Sequence, residues 1–539
     1  MSRATGPISV PSPPTPKPPG ALISQTPEPG PAEPQWWPFS ARLALVAIVV
    51  GSLVLRLAWV ALMPPSKDEA YHYLYSVYPT WSYFDHPPMM MLVVRLGLEL
   101  CGGCVSFFSL RLGFVLLIAA TSWVLGRWTA RRFGEWAGVY AALWCNLAPF
   151  FSLGAGGQAM PDGPFYFFAV LTMLALTRAL VDAPGQTLPW VWVGLAWACA
   201  LLSKYHAVFL PAGAVVYVLL TPDTRRVLLT PGPYLAVLIG FLGFTPVLYW
   251  NATHDWASFA FQSGRAVGTE FRPDHAGRLL LREMAYLTPA LWVAVLVVII
   301  GGVRYWRTLG REERLLLCLG VFTLAFFLSV SFLRRVSPHW PLIGVLLLLP
   351  LVGKRCVEWY RRWPRTTRIV TTAWTVGFVA LAFVFAIHAR TGVLSDVVPL
   401  KDDPAREQCG WESIADRLDA HGLVGKPNTF IFCNEFHEAG QLGFAVANRS
   451  PVLCYSHFDT RGFAYWSRPE DWLGQDGVLV ALDNLPWEPL GYAPFFARIE
   501  LVDEFWMTRN GQPIRPVRIF YCTNQIRPFP FTNPAAARQ

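Results

Sequence analysis

Apolar residues run along this chain in long blocks broken by short polar or basic stretches, the rhythm of a helical membrane protein. Eleven runs approach or reach the roughly 17–25 residues that a span needs: Ala41–Met63, Phe107–Arg127, Trp136–Leu153, Pro164–Val181, Leu188–Ser203, Ala207–Leu220, Tyr234–Trp250, Ala285–Val303, Leu315–Leu333, Pro341–Val352 and Ile369–His388. Leu188–Ser203, Ala207–Leu220 and Pro341–Val352 are short for the task. Before the first run, residues 1–38 are crowded with Pro, Ser, Thr and Gly, which predicts a disordered tail. Beyond the last, residues 389–539 change to the texture of a soluble domain. Short β-rich runs (Thr429–Cys433, Pro451–Tyr455, Gly477–Leu482, Arg498–Val502, Val517–Tyr521) there alternate at first with helical patterns at Trp411–Leu418 and Glu435–Ala447. The expected architecture is a membrane domain of about eleven helices over residues 39–388, followed by a small α/β domain.

Composition agrees with this division. Of 539 residues, 54% are hydrophobic and only 15% charged, where soluble domains carry roughly a quarter. The net charge of +9 does not indicate nucleic acid, because the basic residues fall in short clusters between apolar runs. Those at Arg127/Arg131/Arg132, Arg225/Arg226, Arg304/Arg307/Arg311/Arg314 and Lys354–Arg368 all fall on one side of the expected membrane. The positive-inside rule makes that side the cytoplasm. The N-terminal tail is then expected inside, and the C-terminal domain outside. Six of the ten cysteines (Cys101, Cys104, Cys409, Cys433, Cys454, Cys522) also lie outside. Cys101-Gly-Gly-Cys104 has redox or zinc spacing, but a single pair is a weak signal, and free buried thiols are the preferred reading.

One outside stretch concentrates titratable groups. Ser66–Tyr78 holds Asp68, Glu69 and His72 among tyrosines, and Asp85-His86-Pro87-Pro88 follows in the same loop. Pro64-Pro65 ends the first run, so Lys67 onward reads as a short helix at headgroup depth. On it Asp68, His72 and Tyr75 share one face, and Glu69 and Tyr73 the adjacent one. An acidic residue here could equally cap the helix. Three further outside turns add Asp162, Lys204-Tyr205-His206, and Arg334/Arg335 with His339. Arg56 lies about two turns below the membrane surface, where snorkelling to the interface is its ordinary fate. Carboxylates beside cations in a greasy-walled cavity suit a phosphate-bearing lipid donor. The cations would neutralise a phosphate leaving group while a carboxylate takes the proton of an attacking hydroxyl. A lipid-linked sugar flippase or transporter is the alternative, although transporters usually carry such charges at mid-membrane in two related halves.

Asp68-Glu69-Ala70-Tyr71, Tyr83–Pro88, Pro161-Asp162, Leu202–Tyr205, Trp250-Asn251 with His254-Asp255-Trp256, and Arg335 with Pro338–Pro341 together resemble a bacterial branch of the dolichyl-phosphate-mannose protein mannosyltransferase family, glycosyltransferase family 39. The wider group includes the transferase that adds aminoarabinose to lipid A. The match runs in order over roughly residues 41–360, and loosely at Glu435–Tyr455. The resemblance implies a GT-C fold in the inner membrane and inverting transfer on the extracytoplasmic side. Donor and acceptor would be a polyprenyl-phosphate-linked sugar and a glycolipid, glycan or protein. It implies Asp68 as catalytic base, with Glu69 a helper or cap and Asp162 orienting acceptor or sugar. Lys204 and His86 would contact the donor phosphate, with Arg335 and His339 completing the cationic set. Where the aminoarabinose transferase has a Glu-Lys pair before its proline, this chain has Asp85-His86, exchanging a permanent cation for a titrating one. Some relatives hold a divalent metal here. Asp68 and His72 at i, i+4, with Asp85 nearby, could bind one, although chance coincidence on a helix face is the commoner origin of such spacing.

Overall fold

The computed structural model describes residues 40–264, 270–399, 403–483, 489–509 and 511–531; the proline-rich segment 1–38 lies outside them. All eleven apolar runs are helical. The first four helices are α1 (Ala41–Leu62), α2 (Lys67–Val77), α3 (Met89–Leu100) and α4 (Phe107–Phe133). Five helices are long and apolar enough to cross a membrane alone, and four bent helix pairs bring the number to at most nine among the described residues. The difference from eleven has two sources. Leu188–Ser203 has 16 residues, about 24 Å of helix against a hydrocarbon core of about 30 Å. Leu342–Arg362 is apolar only in its first half, after which Lys354, Arg355, Glu358, Arg361 and Arg362 make it charged.

The C-terminal region is a five-stranded mixed sheet of order β2-β1-β3-β5-β4, formed by β1 (Thr429–Cys433), β2 (Val452–Cys454), β3 (Asp476–Leu482), β4 (Phe496–Arg509) and β5 (Gln512–Gln525). β1 pairs in parallel with β2 and β3, while β3–β5 and β5–β4 are antiparallel. The last two strands extend well past the apolar cores that mark them in sequence. Backbone pairing continues along this hairpin where its side chains are mostly polar and half-exposed. Each of the ten cysteines is a free thiol.

α2 joins the two halves. Its start is fixed by a capping box in which Ser66 and Glu69 each accept the other's backbone N–H. Its aromatic residues do not lie among lipid headgroups as the pattern suggests, because Ala70–Tyr75 are buried in protein. Tyr71 meets the rings of Phe436 and Trp466, and Tyr78 stacks on Trp466 at 5.0 Å. Helix Phe436–Ala445, between β1 and β2, lies against α2 so closely that a Cβ at Gly440 would stand 2.7 Å from the Tyr71 backbone. Gln441 Nε2 donates to the Pro65 carbonyl at 3.1 Å beside it.

Gly440→Ala is therefore expected to force these helices apart, at about 1–3 kcal/mol. Gly277→Ala, whose Cβ would meet open space, is the control. Thermal unfolding of the purified protein should show a lower Tm for the first substitution only; an unchanged Tm at Gly440→Ala would contradict this packing.

Candidate active site

Side chains from both halves of the molecule enclose a cavity of about 280 Å³. From α2 and the loop after it come Asp68, His72, Asp85 and His86. The first residue of helix Asp162–Thr177 adds Asp162, the end of Leu188–Ser203 and the turn after it add Lys204 and His206, and the turn before Leu342 adds His339. Seven of the candidate site residues singled out from sequence thus converge: Asp68, His72, Asp85, His86, Asp162, Lys204 and His339. The C-terminal domain contributes Phe436, His437 and Arg461, which sequence reasoning missed. Only the loose resemblance over Glu435–Tyr455 bordered on them.

The three carboxylates are in different chemical states of readiness. The Lys204 ammonium donates to both Asp162 oxygens at 2.8 Å in a pair almost wholly removed from solvent. The charge of Lys204 is therefore neutralised on one side before any phosphate arrives. Asp85 accepts hydrogen bonds from the phenols of Tyr71 and Tyr75, and its backbone carbonyl accepts one from Gln262 at 2.7 Å. Burial, reinforced by this carboxylate, pushes both phenols well above their ordinary range, so they remain donors. Asp68 alone keeps an accessible carboxylate, its side chain about half exposed (52%). His437 Nε2 lies 3.2 Å from its Oδ1. Burial acts to raise the Asp68 pKa, but the His437 hydrogen bond and the nearby His72, His437 and Lys67 charges outweigh it and hold the carboxyl well below its ordinary range.

Glu69 points the other way. Fully buried, it receives Arg111 Nε and Nη2 at 2.6 and 2.8 Å, the Ala159 N–H at 2.9 Å and the Ser66 N–H at 2.9 Å. It does not line the cavity; its side chain caps α2, the role the sequence also allowed, and pairs with Arg111. Arg335, which is exposed, is likewise outside the cavity. From the turn that follows, Ser337, Trp340 and His339, the last stacked on Phe150 at 5.2 Å, line the cavity. Arg56 neither snorkels nor reaches the site; it is buried, donating to the Ser152 carbonyl at 3.0 Å and to Asn146. No group of three or more His, Cys, Asp or Glu among the described residues could hold a metal ion. Asp68, His72 and Asp85 do not gather into such a group, and the Asp85 carboxylate is engaged by two phenols.

Arg461 supplies a cation that the sequence did not reveal. Its guanidinium lies 4.3 Å over the Phe436 ring and 5.1 Å over Phe261, with Asp459 at 2.9 Å. Burial would weaken its charge, but the field of Asp85 and Asp459 sustains it. Lys204 and Arg461 are thus the lysine and arginine of a lining that also holds His72, His86, His206, His339 and His437.

A helical domain with a sheet domain closing one polar cavity is an arrangement that this chain shares with solved structures, and part of it matches a family profile. The family profile for dolichyl-phosphate-mannose-protein mannosyltransferase matches residues 85–250. Among individual relatives, the lipid A galacturonosyltransferase RgtD of Rhizobium johnstonii is 24% identical over 330 residues, 57% of this chain and 63% of that protein. Two crystal structures of ArnT from Cupriavidus metallidurans share the fold. The one bound to undecaprenyl phosphate gives a TM-score of 0.58 at 17% identity, over 89% of this chain and 98% of ArnT. The apo structure gives 0.57 over the same coverage.

The geometry separates a structural acid from a working one. Glu69→Gln should strand the Arg111 charge and cost about 3–5 kcal/mol of stability. Folded yield and Tm should fall while turnover per folded molecule is largely kept. Full stability with abolished turnover would return Glu69 to the catalytic set.

Proposed function

We propose that this chain is a membrane glycosyltransferase that moves a sugar from a polyprenyl-phosphate-linked donor to a hydroxyl acceptor at the extracytoplasmic face. The observation that carries the reading is the division of labour in the cavity. Asp68 is ionised, accessible and oriented by His437, while Lys204, Arg461 and the histidines lie in the same enclosure. The fold shared with ArnT, which binds undecaprenyl phosphate in one structure, and the relation to a lipid A galacturonosyltransferase support this substrate class.

In the proposed step, the acceptor O–H gives its proton to an Asp68 oxygen as its own oxygen attacks the anomeric carbon of the donor sugar. The bond from that carbon to the phosphate oxygen breaks, and the electron pair leaves with the polyprenyl phosphate. Lys204, His86 and His339 are assigned to hold that phosphate, with Arg461 joining them. Asp162 fixes the Lys204 ammonium and orients the sugar. His437 keeps Asp68 in the carboxylate form and aims the oxygen that receives the proton.

Asp68→Asn should lower kcat by roughly 10²–10⁴-fold with normal folding, measured by transfer of radiolabelled sugar from a polyprenyl phosphate donor. Wild-type rates in this variant would remove Asp68 from the chemistry. The depressed Asp68 pKa keeps the base ionised as pH falls through the usual carboxylate range, so its acid limb should lie below that range. His437→Ala removes the main stabiliser of the charge and should move that limb up toward about 3.9. A kcat/KM–pH profile with no upward movement would contradict the pairing.

A further inference from the structure

A second, larger polar cavity of about 540 Å³ adjoins the first at His437. Its size falls within the roughly 300–1,000 Å³ of small-ligand sites. It is walled by the start of α2 and by the C-terminal domain. The two cavities share His437, and the neighbours Lys67 and Asp68 face one each. A ligand seated in the second cavity therefore has Asp68 within reach past a single imidazole.

The second cavity's lining indicates what it would hold. Five carboxylates, Asp403, Glu407, Glu435, Glu438 and Asp483, outnumber the cations Lys67, Arg406 and Arg515. Several are paired across the opening: Lys67 with Glu407 at 2.8 Å, and Arg515 with Glu438 at 2.8 Å and Asp483 at 2.7 Å. Burial pushes the Glu438 carboxyl up to about 7 despite the Arg515 guanidinium beside it, so this group can donate as well as accept. Arg406 Nε is buried without a hydrogen-bond partner among the described residues. Carboxylates and guanidinium groups set at fixed positions around a polar cavity match the paired hydroxyls of a sugar. Each cation of the lining already faces a carboxylate, Lys67 that of Glu407, Arg515 those of Glu438 and Asp483, and Arg406 that of Asp483 at 3.6 Å, which disfavours phosphate.

We propose that this second cavity binds the acceptor as a hydroxyl-rich, non-phosphorylated sugar headgroup and presents one hydroxyl past His437 to Asp68. This rests on the transferase reading above and adds to it the acceptor class and its place. The test uses the full-length protein in detergent, with chitobiose as the probe and chitobiose 1-phosphate as comparison. Donor hydrolysis to water is followed in parallel. Glu407→Ala/Glu435→Ala changes two exposed cavity residues outside the proposed catalytic set. It should weaken chitobiose binding about tenfold, leaving Tm and donor hydrolysis unchanged, and the phosphorylated sugar should bind less tightly than chitobiose. Chitobiose binding that is absent, or indifferent to the substitutions, while the donor is turned over would overturn the acceptor site and leave the transferase reading standing; a protein acceptor would give that result. Substitution-sensitive binding with no donor turnover would keep the cavity as a sugar site and overturn the transferase reading.

Discussion

The arrangement depends first on one buried ion pair. Arg111, about one turn into the apolar α4, has five N–H donors, and each finds an acceptor: two on Glu69, and the carbonyls of Val60, Met63 and Pro64. Glu69 in turn has its four acceptor positions filled by Arg111, Ala159 and Ser66. A charge pair removed from water is tolerated only when saturated in this way. Here saturation ties the end of α1, the start of α2, α4 and the segment before Asp162 to one point. The adjacent residue, Asp68, is thereby turned toward the cavity with its backbone held on the protein side.

The C-terminal domain is the other half of the constraint. Glycine at 440 lets helix Phe436–Ala445 approach the backbone of α2, which brings His437 to Asp68. The aromatic surface of α2 that would otherwise face lipid headgroups is covered by Phe436 and Trp466. The same contact brings in Arg461 and opens the second cavity. Both cavities are therefore interfaces between the membrane half and the sheet half, and neither half holds a complete site.

Much of this was legible in the sequence because membrane helices and basic loops leave strong periodic and charge signals. The eleven helical runs, the α/β composition after residue 389, and the convergence of Asp68, Asp162, Lys204, His86 and His339 follow from where polar groups interrupt apolar runs. The rest was not legible for one reason: one-dimensional spacing does not show what a side chain faces. Glu69 and Asp68 are neighbours with opposite fates, decided by Arg111, whose position inside an apolar run was itself a signal of a buried partner. Arg335 and His339 share a turn but only one points inward. His437 and Arg461 lie more than 350 residues from Asp68, in a domain whose strands and loops carry no membrane signal to relate them to the site.

The carboxylate states in the cavity lead to a stereochemical consequence. Asp162 is bound by Lys204 and Asp85 by two tyrosines, which leaves Asp68 as the accessible carboxylate and, among the described residues, no second one placed to form a covalent sugar intermediate. A single displacement inverts the anomeric carbon. The most direct test is the anomeric configuration of the product formed in proteoliposomes from a polyprenyl-phosphate sugar of known configuration, read by NMR. The account predicts inversion; a product that retains the donor's configuration would contradict it.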